Sequence, residues 1–580
     1  MKAMKRLAGT GERITRFFTE LRRRRVFRVG AAYALVGWFL IQAGDVIVEP
    51  LRLPEWIQPL LIMTVFLGFP VAVLLAWAFD LTPGGVERSP LPRDDEEAGK
   101  PTATDIDSAS RHVESDHSVA VLPFANLSQA AENEYFSDGI TDDLITHLSK
   151  IKDLRVISRT SVMRFKGRGA TIQEIGGELR VGRILEGSVR RAGNRVRINA
   201  QLIDVRSDDH LWAEMYDRDL QDLFEIQLDV TSRIAESLHA HLSREEETGL
   251  ARKPTVDMEA YDLFLKGRFH WNRRTEADLL RSVEYFKRAV QRDPNYSMAL
   301  TGLADAYVTL GVYGALAPAD VMPLARGAAE QAFSQDESAA AHVSLGSVHA
   351  FYEWDWGAAE GEYRAAVEIN PGYALAHQWY ATNLLLPLGR FEEARKRLHR
   401  ARELDPLSPS ITVSFGFLAY FEGKYREAIE DQRRLLASDP QFGMAHFVIG
   451  GCLEQMGEYP EALTAFRKAV DLSGGSAETI AALGHTLARS GQADEARLLL
   501  EQLLDRSGDA FVSPTRLAQV RLGLGDRLGA LDLLEEAAKT RAADVVWIGV
   551  SPVWKPLRAE PRFRAVQEIV IGADAGSPHE

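Results

Sequence analysis

The 580-residue chain has one cysteine, Cys452, so no disulfide can form within it. No Cys pair and no HExxH is present, which removes the usual zinc frameworks. No Walker-type phosphate loop occurs. The stretch FKGRGATIQEIGG has glycines at the wrong spacing and no Lys-Ser/Thr after them, and reads as a strand-to-helix loop. GxSxG, HRD and DFG are missing as well. The formal net charge of −14 lacks the basic excess of a general nucleic-acid binder, so no nucleic-acid partner is expected. His239 and His241 fall near Glu236 but not at i, i+4 spacing, and a surface or capping role fits them better than a metal. Asp138, Asp142 and Asp143 read as helix-dipole and capping residues, and the arginines at 190, 191, 195 and 197 as solvated strand faces. These absences leave no catalytic, cofactor-binding or metal-ligating residue to assign. The expectation is a chain that is not an enzyme and has no cofactor.

What the chain does contain is a period. Stepping 34 residues from Pro406 reaches Pro440, Gly474, Gly508 and Ala542. Small residues recur in phase at Gly416, Gly450, Gly484 and Ala518, and again at Ala428, Ala462, Ala496 and Ala530. Turn glycines recur at Gly423, Gly457, Gly491 and Gly525. A fixed period of this length means stacked helical units. With small residues where helices cross and a helix-stopping residue at the end, it is the pattern of tetratricopeptide (TPR) repeats. Less regular copies precede the clean ones and extend the array to about eight units over 257–542, with a capping segment at 543–571 and a disordered tail at 572–580. Cys452 falls on a repeat helix and is expected to be a buried structural thiol.

The N-terminal region is read from charge and hydropathy. Residues 1–28 hold ten Lys or Arg against two Glu and form a basic cytoplasmic segment. The apolar runs 29–48 and 57–79 are each about as long as a bilayer-spanning helix, which predicts a transmembrane hairpin with the bilayer as a partner. The Arg-rich start orients it by the positive-inside rule. The resulting expectation is a multi-pass protein of the bacterial inner (plasma) membrane with its remaining domains cytoplasmic. If a single segment spanned, those domains would be periplasmic. Residues 80–117, rich in Pro, Gly, Ser and acids, read as a flexible linker.

From Ser118 the text changes to short apolar strands and amphipathic helices in the order β-α-β-α-β-β-β-α, a small mixed sheet covered by helices. The stretches VAVLPFANLS, EYFSDGITDDLITHLSKI, ILEGSVRRAGNRVRINAQLIDVRSDDHLWAEMYDR and DLFEIQLDV resemble the TolB N-terminal-like (TolB-like or FlgO-like) domain of bacterial TPR proteins, over 118–242. The N-terminal apolar text is similar to the membrane hairpin of some such proteins. The resemblance implies a membrane-anchored TPR protein of largely unassigned activity. Its relatives often carry a DNA-binding, cyclase or kinase module, and none of these activities is carried over to this chain. The fold class is therefore multi-domain: a two-helix transmembrane hairpin, a small α/β domain and an all-α TPR solenoid.

A TPR array offers a concave face built from the first helix of each pair. Positions assigned to that face by resemblance are Val343, Phe351, Leu385, Val413, Phe417, Tyr420, Phe421, Met444 and Phe447. They are apolar and largely aromatic. The Lys/Asn/Arg pattern that grips a terminal carboxylate is absent from them, so an apolar helix or extended segment of a partner protein is the expected guest. The same residues would also suit packing between repeats. The function read from the sequence is a membrane-tethered protein–protein interaction scaffold. The alternatives are a regulatory subunit of a separately encoded cyclase or kinase, a periplasmic envelope-assembly factor, or an enzyme with a new site in the α/β domain.

Overall fold

The computed structural model describes residues 117–128, 133–508 and 510–572, with Met63 and two short strands, Phe79–Thr82 and Gly85–Arg88. The chain divides into two compact units, Met1–Thr102 and Ala103–Glu580. In the first, the two strands pair antiparallel with Phe79 opposite Arg88 and Thr82 opposite Gly85. Both fall at or inside the expected linker.

The expected multi-pass inner-membrane location is corrected. Among the described residues no helix is long and apolar enough to cross a membrane. Apart from Met63 and Phe79, the segments 29–48 and 57–79 lie outside the described residues, as do 1–28, most of 80–117 and 573–580. The prediction rested on the length of two apolar runs. Length alone does not make a spanning helix, and Phe79, the expected end of the second span, begins a strand.

The second unit opens with the α/β domain. Its strands are β1 (Ser118–Val121), β2 (Ala125–Asn126), β3 (Arg155–Val156), β4 (Arg183–Ala192), β5 (Arg195–Asp204) and β6 (His210–Asp219). The sheet order is β3-β1-β4-β5-β6, with β2 also on β4. β1 runs parallel to β3 and β4, while β4, β5 and β6 form an antiparallel meander. Alternation sets the faces: Val196, Ile198, Ala200 and Leu202 of β5 turn inward, and Arg195, Arg197 and Asn199 turn out. Gly193 supplies the positive φ that the tight β4–β5 turn needs. Helices α1 (Glu134–Ser149), α2 (Arg159–Met163), α3 (Ile172–Leu179) and α4 (Leu223–Ser237) complete the domain. α1 starts earlier than the polar text suggests, with Phe136 buried and Asp138, Asp142 and Asp143 inside it rather than capping it. α4 ends before His239 and His241, so these two do not share its helix.

After α5 (Arg244–Ala251), eight helix pairs follow. They are α6 (Met258–Trp271) with α7 (Glu276–Arg292), α8 (Ser297–Val312) with α9 (Pro318–Gln335), α10 (Ala339–Val348) with α11 (Trp356–Ile369), and α12 (Ala374–Trp379) with α13 (Phe391–Leu404). Next come α14 (Pro409–Phe421) with α15 (Tyr425–Ser438), α16 (Gly443–Met456) with α17 (Tyr459–Leu472), α18 (Ala477–Arg489) with α19 (Ala493–Arg506), and α20 (Pro514–Gly523) with α21 (Arg527–Lys539). The repeated small residues let helices approach. Phe286 of α7 is fully buried between Gly267 and Gly302, where a Cβ would fall 2.5 and 2.6 Å from its ring. Two first helices end in π-helical turns, His349–Glu353 and Tyr380–Leu385.

Two features give this solenoid its form. The C-terminal segment is two 3-10 turns, Ala543–Ile548 and Pro552–Leu557, and a last helix α22 (Pro561–Ile571). It crosses back to the middle of the array, where Arg541 donates to the carbonyl of Tyr352 and Trp356 Nε1 donates to the carbonyl of Val570 at 2.9 Å. The α/β domain, in turn, braces the turns between repeats. Ser149 meets Asn370, Ser158 N donates to Leu404 O at 2.9 Å, and Asp405 Oδ1 accepts from the backbone and hydroxyl of Ser161 at 2.9 and 2.5 Å. One contiguous apolar core runs from Val119 of β1 through the first half of the array to Phe563 of α22.

Candidate protein-binding cavity

The first helices of the repeats, the C-terminal end of α1, α5 and the C-terminal segment line one cavity of about 2450 Å³. Pockets for small molecules run to about 1,000 Å³, so this space is sized for a stretch of polypeptide.

The structure separates the nine residues expected on the concave face. Phe417, Tyr420, Phe421, Met444 and Phe447 are half-buried and line the cavity, and Phe351 and Val413 are buried in its wall. Val343 and Leu385 do not line it. Both are buried at 1% exposure, packed between repeats. For Leu385 the reason is local: it ends the π-helical turn Tyr380–Leu385, and the wider turn rotates it away from the position a regular α-helix would give.

The aromatic residues form a continuous run. Phe417 lies 6.2 Å from Phe421 and 6.4 Å from Phe447, and Phe447 meets Phe466 edge-on at 5.6 Å. The run ends on a residue the repeat pattern did not reveal. Trp547, from the first 3-10 turn of the C-terminal segment, stacks on Phe421 at 5.3 Å. Trp554, buried at 4%, joins the same wall. Their one sequence signal is two tryptophans lying past the last in-phase repeat.

Polar groups sit at defined places in this wall. Glu454, 2% exposed, accepts from Thr486 Oγ1 at 2.7 Å and has His485 Nδ1 3.0 Å away. Burial pushes its carboxyl up, but His485, Thr486 and Arg489 together hold it below the usual range. Arg516 is paired with Glu478 and Asp544, both at 2.8 Å. Cys452 is fully buried beside the run, and burial pushes its thiol up to about 12, which makes it an inert packing residue.

In the α/β domain the described acids and the arginines of the β4–β5 hairpin are taken up in separate pairs. Asp138 pairs with Lys166 and lies 3.8 Å from Arg159. Asp142 binds Arg268 at 2.9 Å, and Asp143 accepts from Tyr261 and Gln227. The arginines of the β4–β5 hairpin are occupied elsewhere, Arg191 with Asp262 and Arg195 and Arg197 with Asp217. Asp142 lines the cavity, whereas Asp138 and the hairpin arginines do not. Among the described residues no cluster of three or more His, Cys, Asp or Glu could hold a metal ion.

Comparison with known proteins fits this layout. Family models of the tetratricopeptide repeat match residues 415–477 and 453–511. Residues 415–511 are TPR repeats on that basis, and the helix pairs on either side continue the same arrangement. The model of the HilA/YgeH-like transcriptional regulator, second domain, matches residues 115–237, the α/β domain. A curated relative, "Putative adenylate cyclase 3" of Rhizobium meliloti (strain 1021), is 40% identical over 223 residues. That match spans 38% of this chain and 38% of the relative's length. Among solved structures, a tetratricopeptide repeat protein from Parabacteroides merdae ATCC 43184 is 15% identical, covering 46% of this chain and 100% of that one, with a TM-score of 0.35. Yeast Tom70 is also 15% identical, covering 60% of this chain and 82% of that one, with a TM-score of 0.35.

Proposed function

We propose that this chain is a protein-interaction scaffold that holds a partner segment inside its central cavity, against the aromatic run Phe417–Phe421–Phe447. The observation that carries this reading is the cavity itself: a volume suited to polypeptide, with half-buried aromatic side chains presented to it rather than consumed by the core. Aromatic side chains in such a setting supply large apolar contact at little entropic cost. The α/β domain, which resembles the TolB N-terminal-like domain, acts in this reading as a brace that fixes the spacing of the repeats.

The test is a photo-reactive amino acid placed at Met444 in the full chain, expressed in its native cells. A discrete crosslinked partner is expected, and it should disappear when Phe417→Ala and Phe421→Ala are added to a variant that melts like the parent. Crosslinks of equal intensity in both would reject the aromatic run as the binding surface.

One observation favours a second reading. The 223-residue match to a protein named as a putative adenylate cyclase supports a regulatory role toward a separately encoded signalling enzyme. Under it, the crosslinked partner would be a nucleotide cyclase.

A further inference from the structure

The aromatic run is one part of the cavity wall. Another part is polar and centres on Tyr373, at the turn before α12. This residue is half-buried, it lines the cavity, and among the described residues its hydroxyl has no hydrogen-bond partner. Burial raises its phenol well above the usual range, so it is a proton donor at any physiological pH.

Two arginines act on the same spot. Arg274 follows α6 and is held in the left-handed region at φ 59°, a conformation that is unfavourable for a non-glycine residue. Its guanidinium lies 3.5 Å from the centre of the Trp271 ring and donates one bond, to Thr309 Oγ1 at 3.3 Å. Among the described residues its remaining N–H groups meet no acceptor. Burial lowers its pKa, with the charges of Tyr313 and Asp305 only partly offsetting the effect. Arg268, also in the cavity wall, spends Nη2 on Asp142 and keeps its other donors. The charges of both arginines act on the Tyr373 hydroxyl and oppose the rise that burial causes.

Lys150 approaches from the α/β domain. The C-terminus of α1 touches the turn that carries Tyr373: a Cβ on Gly372 would fall 2.9 Å from Ser149 O, and Asn370 Nδ2 donates to Ser149 Oγ at 3.2 Å. Lys150 lines the cavity at its rim, where the side chain is exposed, and its ammonium carries no hydrogen bond among the described residues. An exposed ammonium with no bonded counter-charge is open to an anion that enters the cavity. The acids nearest these cations are engaged elsewhere: Asp336, whose charge acts most on Lys150, is paired with Arg252 at 2.7 Å, Asp143 is held by Tyr261 and Gln227, Asp142 is bound to Arg268, and Asp305 accepts from Ser344.

We infer that Tyr373, Arg274, Arg268 and Lys150 form an anion subsite of the cavity, which takes a carboxylate or phosphate group of the guest. The planar Arg274 fork and the Tyr373 hydroxyl supply directional donors, and Lys150 supplies charge at the rim. This inference rests on the cavity being the binding chamber, but its test does not use the partner. A small anion could bind here even if no polypeptide does.

The experiment is competitive acetylation of lysines in the full chain, read by mass spectrometry, with inorganic phosphate or succinate as the probe. Either anion should slow acetylation of Lys150 by about fivefold or more, as a charge-assisted contact would, and leave the exposed Lys555 unchanged. Whichever anion protects identifies the favoured group. Tyr373→Phe removes an oxygen that no described residue bonds, so it should melt like the wild type and lose most of the protection. Arg274→Gln should lose it too. If that variant does not fold, Arg274→Lys, which keeps the charge but not the fork, takes its place with the same expected loss. Equal acetylation of Lys150 with and without both anions overturns the subsite, as does protection that survives either variant undiminished.

Discussion

Trp547 lies flat against Phe421, with ring centroids 5.3 Å apart and planes 17° from parallel. Phe421 ends the first helix of a central repeat, and Trp547 belongs to the segment that crosses back over the array. This stack is where the C-terminal segment becomes part of the wall a guest would meet. Its worth can be isolated. Stacked aromatic pairs contribute about 1 kcal/mol beyond their area. A double-mutant cycle of Phe421→Ala and Trp547→Ala in urea unfolding should therefore return a coupling energy of about that size. Strict additivity would mean that the segment lies over the helix without depending on it.

The glycines of the 34-residue period make a second prediction. At Gly450 a Cβ would stand 2.9 Å from the Phe466 ring, which is 2% exposed and has no room to withdraw. Gly450→Ala should cost about 1–3 kcal/mol, although alanine is the better helix former. Adding Phe466→Leu should return part of that loss. Thermal melts of the three proteins would check it, and a Gly450→Ala variant as stable as the wild type would show that the crossing is looser than its geometry.

These two sites also mark what could be read from the residues. The helix crossings were legible because Gly416, Gly450 and Gly484 repeat in phase, and the turns because Gly423, Gly457, Gly491 and Gly525 do; all four turn glycines take positive φ. The strand alternation of β5 was legible for the same reason: a period shows itself in a single chain. What was not legible depends on parts distant in sequence. The brace uses Asp405 and Ser161, which lie 244 residues apart and belong to no repeated pattern. Tyr373 and Arg274 stand at turns where nothing periodic flags them. Leu385 fell on the wrong face because a π-helical turn breaks the 3.6-residue count that placed it. The onset of α1 was hidden by SDG, a turn-like text in which Gly139 instead allows close packing against Leu265.

His147 carries a prediction about pH. Burial, then the charge of Lys150, lowers its imidazole to about 3, so the folded state keeps it neutral. The unfolded chain takes up the proton near pH 6.5. Its contribution is therefore complete above about pH 6.5 and is lost as pH falls through that value toward 3. His147→Gln removes the proton-linked loss. Relative to wild type, the variant should gain about 1 kcal/mol between pH 7 and pH 5, allowing for partial solvent screening. Urea midpoints at the two pH values test this. A difference that does not change with pH would mean that the imidazole takes up its proton in the fold as readily as in the unfolded chain.

Asp405 should show the opposite dependence. It is 5% exposed, and burial raises its carboxyl to about 6 even though Ser161, Thr160 and Ser408 bond to it. A carboxyl raised in the fold favours the protonated form there, so its contribution is complete below about pH 3.8 and is lost as pH rises through 6. Asp405→Asn keeps an acceptor for Ser161 N and removes the charge. It should therefore gain on the wild type as pH rises from 4.5 to 7. Asp405→Ala leaves the buried Ser161 N–H without a partner and should cost about 1–3 kcal/mol at either pH. Ser161→Ala, which also frees the Leu407 N–H that the Ser161 hydroxyl accepts at 2.8 Å, should combine with it less than additively. The distinguishing readout is amide hydrogen exchange. If the contact is a brace, Asp405→Ala should speed exchange both in α2 of the α/β domain and in α14 of the array. If exchange rises in only one of them, the two domains are stable independently and the contact merely joins them.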